Sequence, residues 1–212
     1  MNATILYDNT VFCKNLQADW GFAALIEANG KRILFDTGGS GSILLSNMNT
    51  LDIDPKKIDD VFISHAHFDH TGGLSAFLDQ NSDVTVWVPP SFRGVRNAKE
   101  VIEVKNSRKL SKGIYSTGEL IGIEQSLCIE TQKGIVIIAG CSHPSIELIL
   151  NAASDFGPVY GIIGGLHGNR PQSLQHFGLI CATHCTQYKE EIESLYPEIY
   201  VEGGAGKVIN II

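Results

Sequence analysis

The chain has 212 residues, and Lys and Arg total 16 against 23 Asp and Glu, a formal net charge of −7. A hydrophobic share of 43% supports a packed core and excludes a disordered chain, while the acidic balance gives no electrostatic footprint for nucleic acid or an anionic membrane. The longest apolar runs, such as Gly134–Gly140, are strand length, and Met1–Asp8 lacks the basic start and apolar stretch of a signal peptide.

These features predict one domain over residues 1–212, cytoplasmic, with no membrane partner and with nucleic acid disfavoured. Five cysteines at scattered spacing make no disulfide framework, so reduced and mostly buried thiols are expected.

Taken in order, Thr4–Tyr7, Phe22–Ala28 and Arg32–Asp36 read as strands, the last two joined at Asn29–Gly30, a pair suited to the positive φ of a tight hairpin. Ser42–Asn49 reads as a helix, Asp60–Ser64 as a buried strand, Leu74–Gln80 as a helix and Val84–Val88 as a strand stopped by Pro89–Pro90. Ser91–Gly122 is ambiguous between short strands and loops. Leu127–Thr131 and Ile135–Ala139 form a second hairpin around Gln132–Gly134. Pro144–Ser154 reads as a helix with its proline in the first turn. Then come Val159–Ile163 (strand), Pro171–His176 (helical), Leu179–Ala182 (strand) and Gln187–Leu195 (helix). Ile199–Glu202 and Lys207–Ile211 read as closing strands. Strands followed by strand–helix units, repeated, predict two sheets in the middle with helices outside.

The chemistry concentrates in Ser64-His65-Ala66-His67-Phe68-Asp69-His70-Thr71-Gly72-Gly73. Three of the chain's seven histidines fall in one six-residue window with a carboxylate, directly after a buried strand. Imidazole and carboxylate together suit zinc, manganese or iron. Two histidines one residue apart point to the same side of an extended chain and can grip one ion. A loop rich in His by chance is the competing reading, and the clustering argues against it.

His65-Ala66-His67-Phe68-Asp69-His70 resembles the His-x-His-x-Asp-His motif of the metallo-β-lactamase superfamily, and Leu34-Phe35-Asp36-Thr37-Gly38 is similar to its early Asp-x-Gly loop. Ala139-Gly140-Cys141-Ser142-His143, Gly164-Gly165-Leu166-His167 and Thr183-His184-Cys185-Thr186 resemble motifs of one subgroup. Its members are metal-dependent hydrolases related to 7,8-dihydropterin-6-methyl-4-(β-D-ribofuranosyl)aminobenzene 5′-phosphate synthase. The resemblance spans essentially the whole chain. It implies an α/β fold, the four-layer αββα sandwich, with a catalytic centre of two divalent ions, zinc expected and manganese or iron as alternatives. It assigns His65, His67 and His143 to the first ion, and Asp69, His70 and His184 to the second. Asp36 would support the ligands through hydrogen bonds.

The implied activity is hydrolysis of a small, anionic ester, phosphoester or thioester by metal-bound hydroxide. Asp69 would orient the water, and His167 would bind substrate or move a proton. Alternatives are a pterin-type synthase displacing pyrophosphate and a non-catalytic metal or ligand sensor. Much of the superfamily carries a bridging Asp between the third and last metal histidines. Here that interval offers only Glu147 and Asp155, in or just after a predicted helix, and Cys141 is the candidate to fill the place. This departure leaves open a weak second ion or a mononuclear site. The basic segment from Arg93 to Lys112 is expected as a solvated face, or as a lid that binds an anion, with Trp87 and Phe92 as an apolar wall beside the metals. His176 is expected at the surface.

Overall fold

The computed structural model describes residues 1–212. The strands are β1 (Asn2–Tyr7), β2 (Ala23–Ala28), β3 (Lys31–Phe35), β4 (Asp60–Phe62), β5 (Thr85–Val88), β6 (Glu100–Glu103), β7 (Asn106–Ser111), β8 (Ile114–Gly118), β9 (Leu127–Thr131), β10 (Gly134–Ala139), β11 (Val159–Gly165), β12 (Leu179–Thr183) and β13 (Val208–Asn210). The helices are α1 (Gly41–Thr50), α2 (Phe68–Thr71), α3 (Leu74–Gln80), α4 (Ile146–Ser154) and α5 (Lys189–Leu195). One seven-stranded sheet runs β13-β1-β2-β3-β4-β5-β6, and a six-stranded sheet runs β12-β11-β10-β9-β8-β7.

Alternation along the strands sorts the side chains into layers. Ile5, Ile26, Phe35 and Phe62 of the first sheet meet Ile129, Val136, Ile138 and Ile163 of the second in one buried cluster between the sheets. The opposite face of the first sheet, through Leu25, Leu34 and Val61, packs on Leu44 and Met48 of α1 and Phe77 of α3. The opposite face of the second, through Ile137, Ile162 and Ile180, packs on Ile146 and Ile149 of α4 and Ile192 of α5. The result is the αββα sandwich. Each side chain buried this way contributes about 1.5–3 kcal/mol, so three separate apolar layers fix the stacking.

Most of the predicted elements are present within a residue or two. At the β2–β3 hairpin, Asn29 (φ 52°) and Gly30 (φ 81°) adopt the expected left-handed pair. The ambiguous segment Ser91–Gly122 holds three strands, β6, β7 and β8. The exposed residues of β6 and β7 include the charged Glu100, Glu103, Arg108 and Lys109, which hide the alternation. Two expectations are corrected. Ile199–Glu202 is no strand, because only Tyr200 bridges to β12, at Ile180. Pro144 lies outside α4, whose first turn is capped by Ser145 accepting from the Leu148 N–H. Pro171–Leu174 is a single 3-10 turn. All five cysteines are free thiols, three of them buried. No helix is long and apolar enough to cross a membrane.

Parallel pairing of β3 with β4, of β10 with β11 and of β11 with β12 brings the C-terminal ends of these strands to the same end of the sandwich. The residues just beyond those ends are Asp36, Ser64–His70, Cys141–His143, His167 and His184. In parallel sheets the carboxyl ends of the strands are where loops gather a site.

Candidate metal centre

Two groups of donor atoms converge there: His65, His67 and His143 in one, Asp69, His70 and His184 in the other, with the atoms of each group within 4.8 Å of one another. These are the six residues singled out in the sequence. His65 Nε2 lies 3.1 Å from His67 Nδ1. Asp69 Oδ2 lies 3.1 Å from His184 Nε2 and 3.8 Å from His70 Nε2. The rings of His65 and His70, one from each group, have centroids 4.2 Å apart.

Four of the histidines are oriented from behind. His65 Nδ1 is 2.9 Å from Ser64 Oγ, which donates to Asp36 Oδ2 at 2.6 Å. His70 Nδ1 is 2.7 Å from the same Asp36 oxygen. His143 Nδ1 is 2.8 Å from Glu124 Oε2, and His184 Nδ1 is 2.9 Å from Asn9 Oδ1. With the outer nitrogen as donor, the inner nitrogen is left as a lone-pair donor to a metal, and such partners both fix the ring and raise its basicity. His184 Nε2 is buried and has no aligned hydrogen-bond partner, although Asp69 Oδ2 is close. A buried nitrogen facing a carboxylate without a bond between them fits two ligands aimed at a common ion. The donor set, imidazole with carboxylate, suits zinc or iron.

The electrostatics agree. Burial pushes the imidazolium forms of His65 and His70 down to about 3, so both rings are neutral, the form a metal binds. Burial also raises the Asp36 carboxyl, to about 7, against the opposing pull of His65 and the Ser64 hydrogen bonds. Burial would likewise raise Asp69, yet the His184 and His70 imidazoles beside its carboxylate hold it well below the usual carboxylate range.

Asp36 thus stands behind His65, through Ser64, and behind His70. Glu124 was not singled out in the sequence. It is fully buried, accepts from the N–H groups of Gly140, Cys141 and Ser142 on Oε1 and from the N–H of His143 on Oε2, and so shapes the whole loop that presents His143. Its sequence neighbours, Ile123 before it and the polar Gln125 and Ser126 after it, give no signal of that role. Asp8, which accepts from the His184 N–H at 2.7 Å, and Asn9 were likewise missed. Gly140 is required where it stands: a Cβ there would collide with Ser64 Oγ and press on the His65 ring.

His167 is exposed, with its ring centroid 5.1 Å from that of His143. Glu147 and Asp155 are exposed on or beside α4, and His176 is at the surface. Trp87 does not wall the site: its indole N–H donates to Asp60, at the end of β4 opposite His65. Phe92 packs instead on the cluster under α3. The aromatics at the rim are Trp20, 59% exposed with its ring 4.9 Å from that of His184, and Phe68, 73% exposed between His67 and Asp69. The basic residues from Arg93 to Lys112 are exposed, as expected of a solvated face. Lys99 is paired with Asp83, and Arg108 lies over the Trp87 ring.

A family model described as the metallo-beta-lactamase superfamily matches residues 21–110. Over 89% of its length, and 88% of the relative's, the chain is 31% identical to the 7,8-dihydropterin-6-methyl-4-(beta-D-ribofuranosyl)-aminobenzene-5'-phosphate synthase of Methanocaldococcus jannaschii. The chain belongs to the metallo-β-lactamase superfamily. Among superfamily structures it is similar to Tm1679, described as a metal-dependent hydrolase, with 25% identity, a TM-score of 0.76 and coverage of 100% of this chain and 99% of that one. The short form of human tRNase Z, 17% identical with a TM-score of 0.68 and full coverage of both chains, shares the fold. Superfamily proteins generally bind divalent metals, and the two donor groups are the candidates here.

Proposed function

We propose that the chain is a metal-dependent hydrolase in which residues 1–212 form one domain. His65, His67 and His143 hold one divalent ion, and Asp69, His70 and His184 hold a second, zinc at both. The observation that carries this reading is the convergence of both donor groups, with Ser64, Asp36, Glu124 and Asn9 holding the outer nitrogens of His65, His70, His143 and His184 and the inner nitrogens turned toward one another. Divalent ions held so act as Lewis acids and bring the pKa of a coordinated water near neutrality.

The chain's own residues supply the rest. Asp69, ionised, orients the attacking water through its carboxylate. His167, exposed beside His143, gives a proton to the leaving oxygen. Trp20 and Phe68 form an apolar rim for the organic part of the substrate. Arg93 and Arg96 line a groove shared with Thr71, next to the ligand His70, and favour an anionic group. A small phosphoester, ester or thioester fits this arrangement. The test is a screen of such substrates with metal-loaded protein. Turnover is expected to vanish with chelator and in His67→Ala, and full activity in His67→Ala would refute the mechanism.

The 31% identity to a synthase favours a second reading, in which the same centre displaces pyrophosphate from a pterin-type substrate. Measuring pyrophosphate release with and without an amine acceptor separates the two, since a fold alone does not name a substrate. Release that requires the acceptor supports the synthase.

A further inference from the structure

Cys141 stands where the two donor groups meet. Its Sγ lies 3.2 Å from Nε2 of His70, and it falls within ligand reach of His65 and His70 on one side and of His184 and Cys185 on the other. The sulfur therefore neighbours the second proposed ion position through His70 and His184, and the first through His65 alone. The strand between those that lead to His143 and His184 is β11, which ends at Gly165. A Cβ at Gly165 would lie 2.7 Å from Cys185 Sγ and would collide with the Gly140 carbonyl. A side chain at that strand end would meet the Gly140 carbonyl, the Cys185 sulfur and the Cys141 backbone, so β11 supplies no bridging carboxylate there and Cys141 packs directly beside the position.

Charge argues the same way. The first group is three neutral imidazoles, and the second adds only Asp69. Two dications would have a single anionic ligand, with Glu124 and Asp36 set one ring further back, and buried charge left under-compensated is costly. A thiolate at Cys141 supplies a second anion at the point nearest both ions. The loop is built to hold it there: the Cys141 N–H donates to Glu124 Oε1 at 2.9 Å, which pins the residue's backbone.

Resting on the metal-centre reading above, we propose that Cys141 is a metal ligand shared between the two positions, with Cys185 as an auxiliary sulfur beside the second. The thiol proton passes to solvent on metal binding, and the thiolate takes the place of a bridging carboxylate. Soft sulfur then selects zinc or iron over manganese and magnesium.

Cobalt(II) loading of the full chain tests this without reference to activity. The expected spectrum shows visible ligand-field bands together with a near-ultraviolet sulfur-to-cobalt charge-transfer band. That band is lost in Cys141→Ser, weakened in Cys185→Ser and unchanged in Cys13→Ser. X-ray absorption of the zinc-loaded wild type keeps the test independent of how the variants fold. A sulfur shell at about 2.3 Å is expected, and a first shell of only nitrogen and oxygen at about 2.0–2.2 Å overturns the proposal. Ligand-field bands without charge transfer overturn the sulfur ligand and leave the metal centre standing. Failure of both metals to bind overturns the metal centre itself.

Discussion

Replacing Glu124 by Gln tests how the site is held. The ionised carboxylate accepts the N–H groups of Gly140, Cys141 and Ser142 on one oxygen, and the N–H and Nδ1 of His143 on the other. Burial alone would raise this carboxyl. The hydrogen bond to His143, the nearby His65 and the loop amides outweigh it and hold the group down at about 2, against an ordinary 4.5. That difference corresponds to about 3 kcal/mol of stability carried by the ionised form. It is fully present above pH 4.5 and is lost as the pH falls through about 2. Gln keeps one acceptor oxygen but sets an NH2 against the His143 N–H and Nδ1. A buried N–H left unsatisfied costs about 1–3 kcal/mol, and the charge-assisted bonds become neutral ones. The expected loss is about 3–5 kcal/mol near neutral pH, read by urea unfolding of the metal-free protein. The amide also donates to Nδ1 and forces the proton onto Nε2, the wrong tautomer for a ligand. Metal affinity should therefore fall about 10–100-fold, the usual size for an outer partner. Unchanged stability together with unchanged metal affinity would refute the reasoning.

Other consequences follow from the same geometry. Asp36→Asn removes the shared acceptor of Ser64 and His70 and should weaken metal binding about 10–100-fold in a chelator competition. In the metal-free protein, His65 and His70 gain protons only on unfolding, which makes stability rise with pH between about 3 and 6.5. Asp36 keeps a proton in the fold until about 7, which opposes this, so a net difference of one proton remains between pH 4.5 and 6.5. Unfolding free energies from urea titration should therefore fall with acidification over that window by about 1.4 kcal/mol per pH unit, and a flat profile would contradict the buried neutral histidines. His167→Ala should lower kcat about 100-fold while metal content stays constant, a split that a purely structural residue would not give. Trp20→Ala should raise KM by up to tenfold with metal content unchanged, from the loss of about 0.5–1.5 kcal/mol of ring contact.

Much of the fold was legible because the apolar periodicities are clean. The β9–β10 hairpin and α3 stand where the pattern places them. The strands β6 and β7 were not legible, since they lie at sheet edges with charged outward faces that read equally well as loop, and β8 is a short Ser- and Thr-containing strand ending in glycine. Tyr200 looked like part of a strand because Ile199–Glu202 is apolar and β-prone, yet it makes only one bridge. The inner ring of the candidate site was readable because its histidines sit in short motifs at strand ends. The outer ring was not, apart from Asp36. Asp8, Asn9 and Glu124 lie far from the ligands in sequence and reach them only through sheet pairing, and a lone buried carboxylate such as Glu124 carries no local pattern. Trp87 misled because its closeness in sequence to the basic segment says nothing of which end of β5 its indole faces.

The measurement that bears most directly on the account is elemental analysis of gently purified protein beside the His143→Ala and His184→Ala variants. Two ions per chain in the wild type, with one lost in each variant, are the predicted result. A wild type that holds no divalent metal even after supplementation would contradict it.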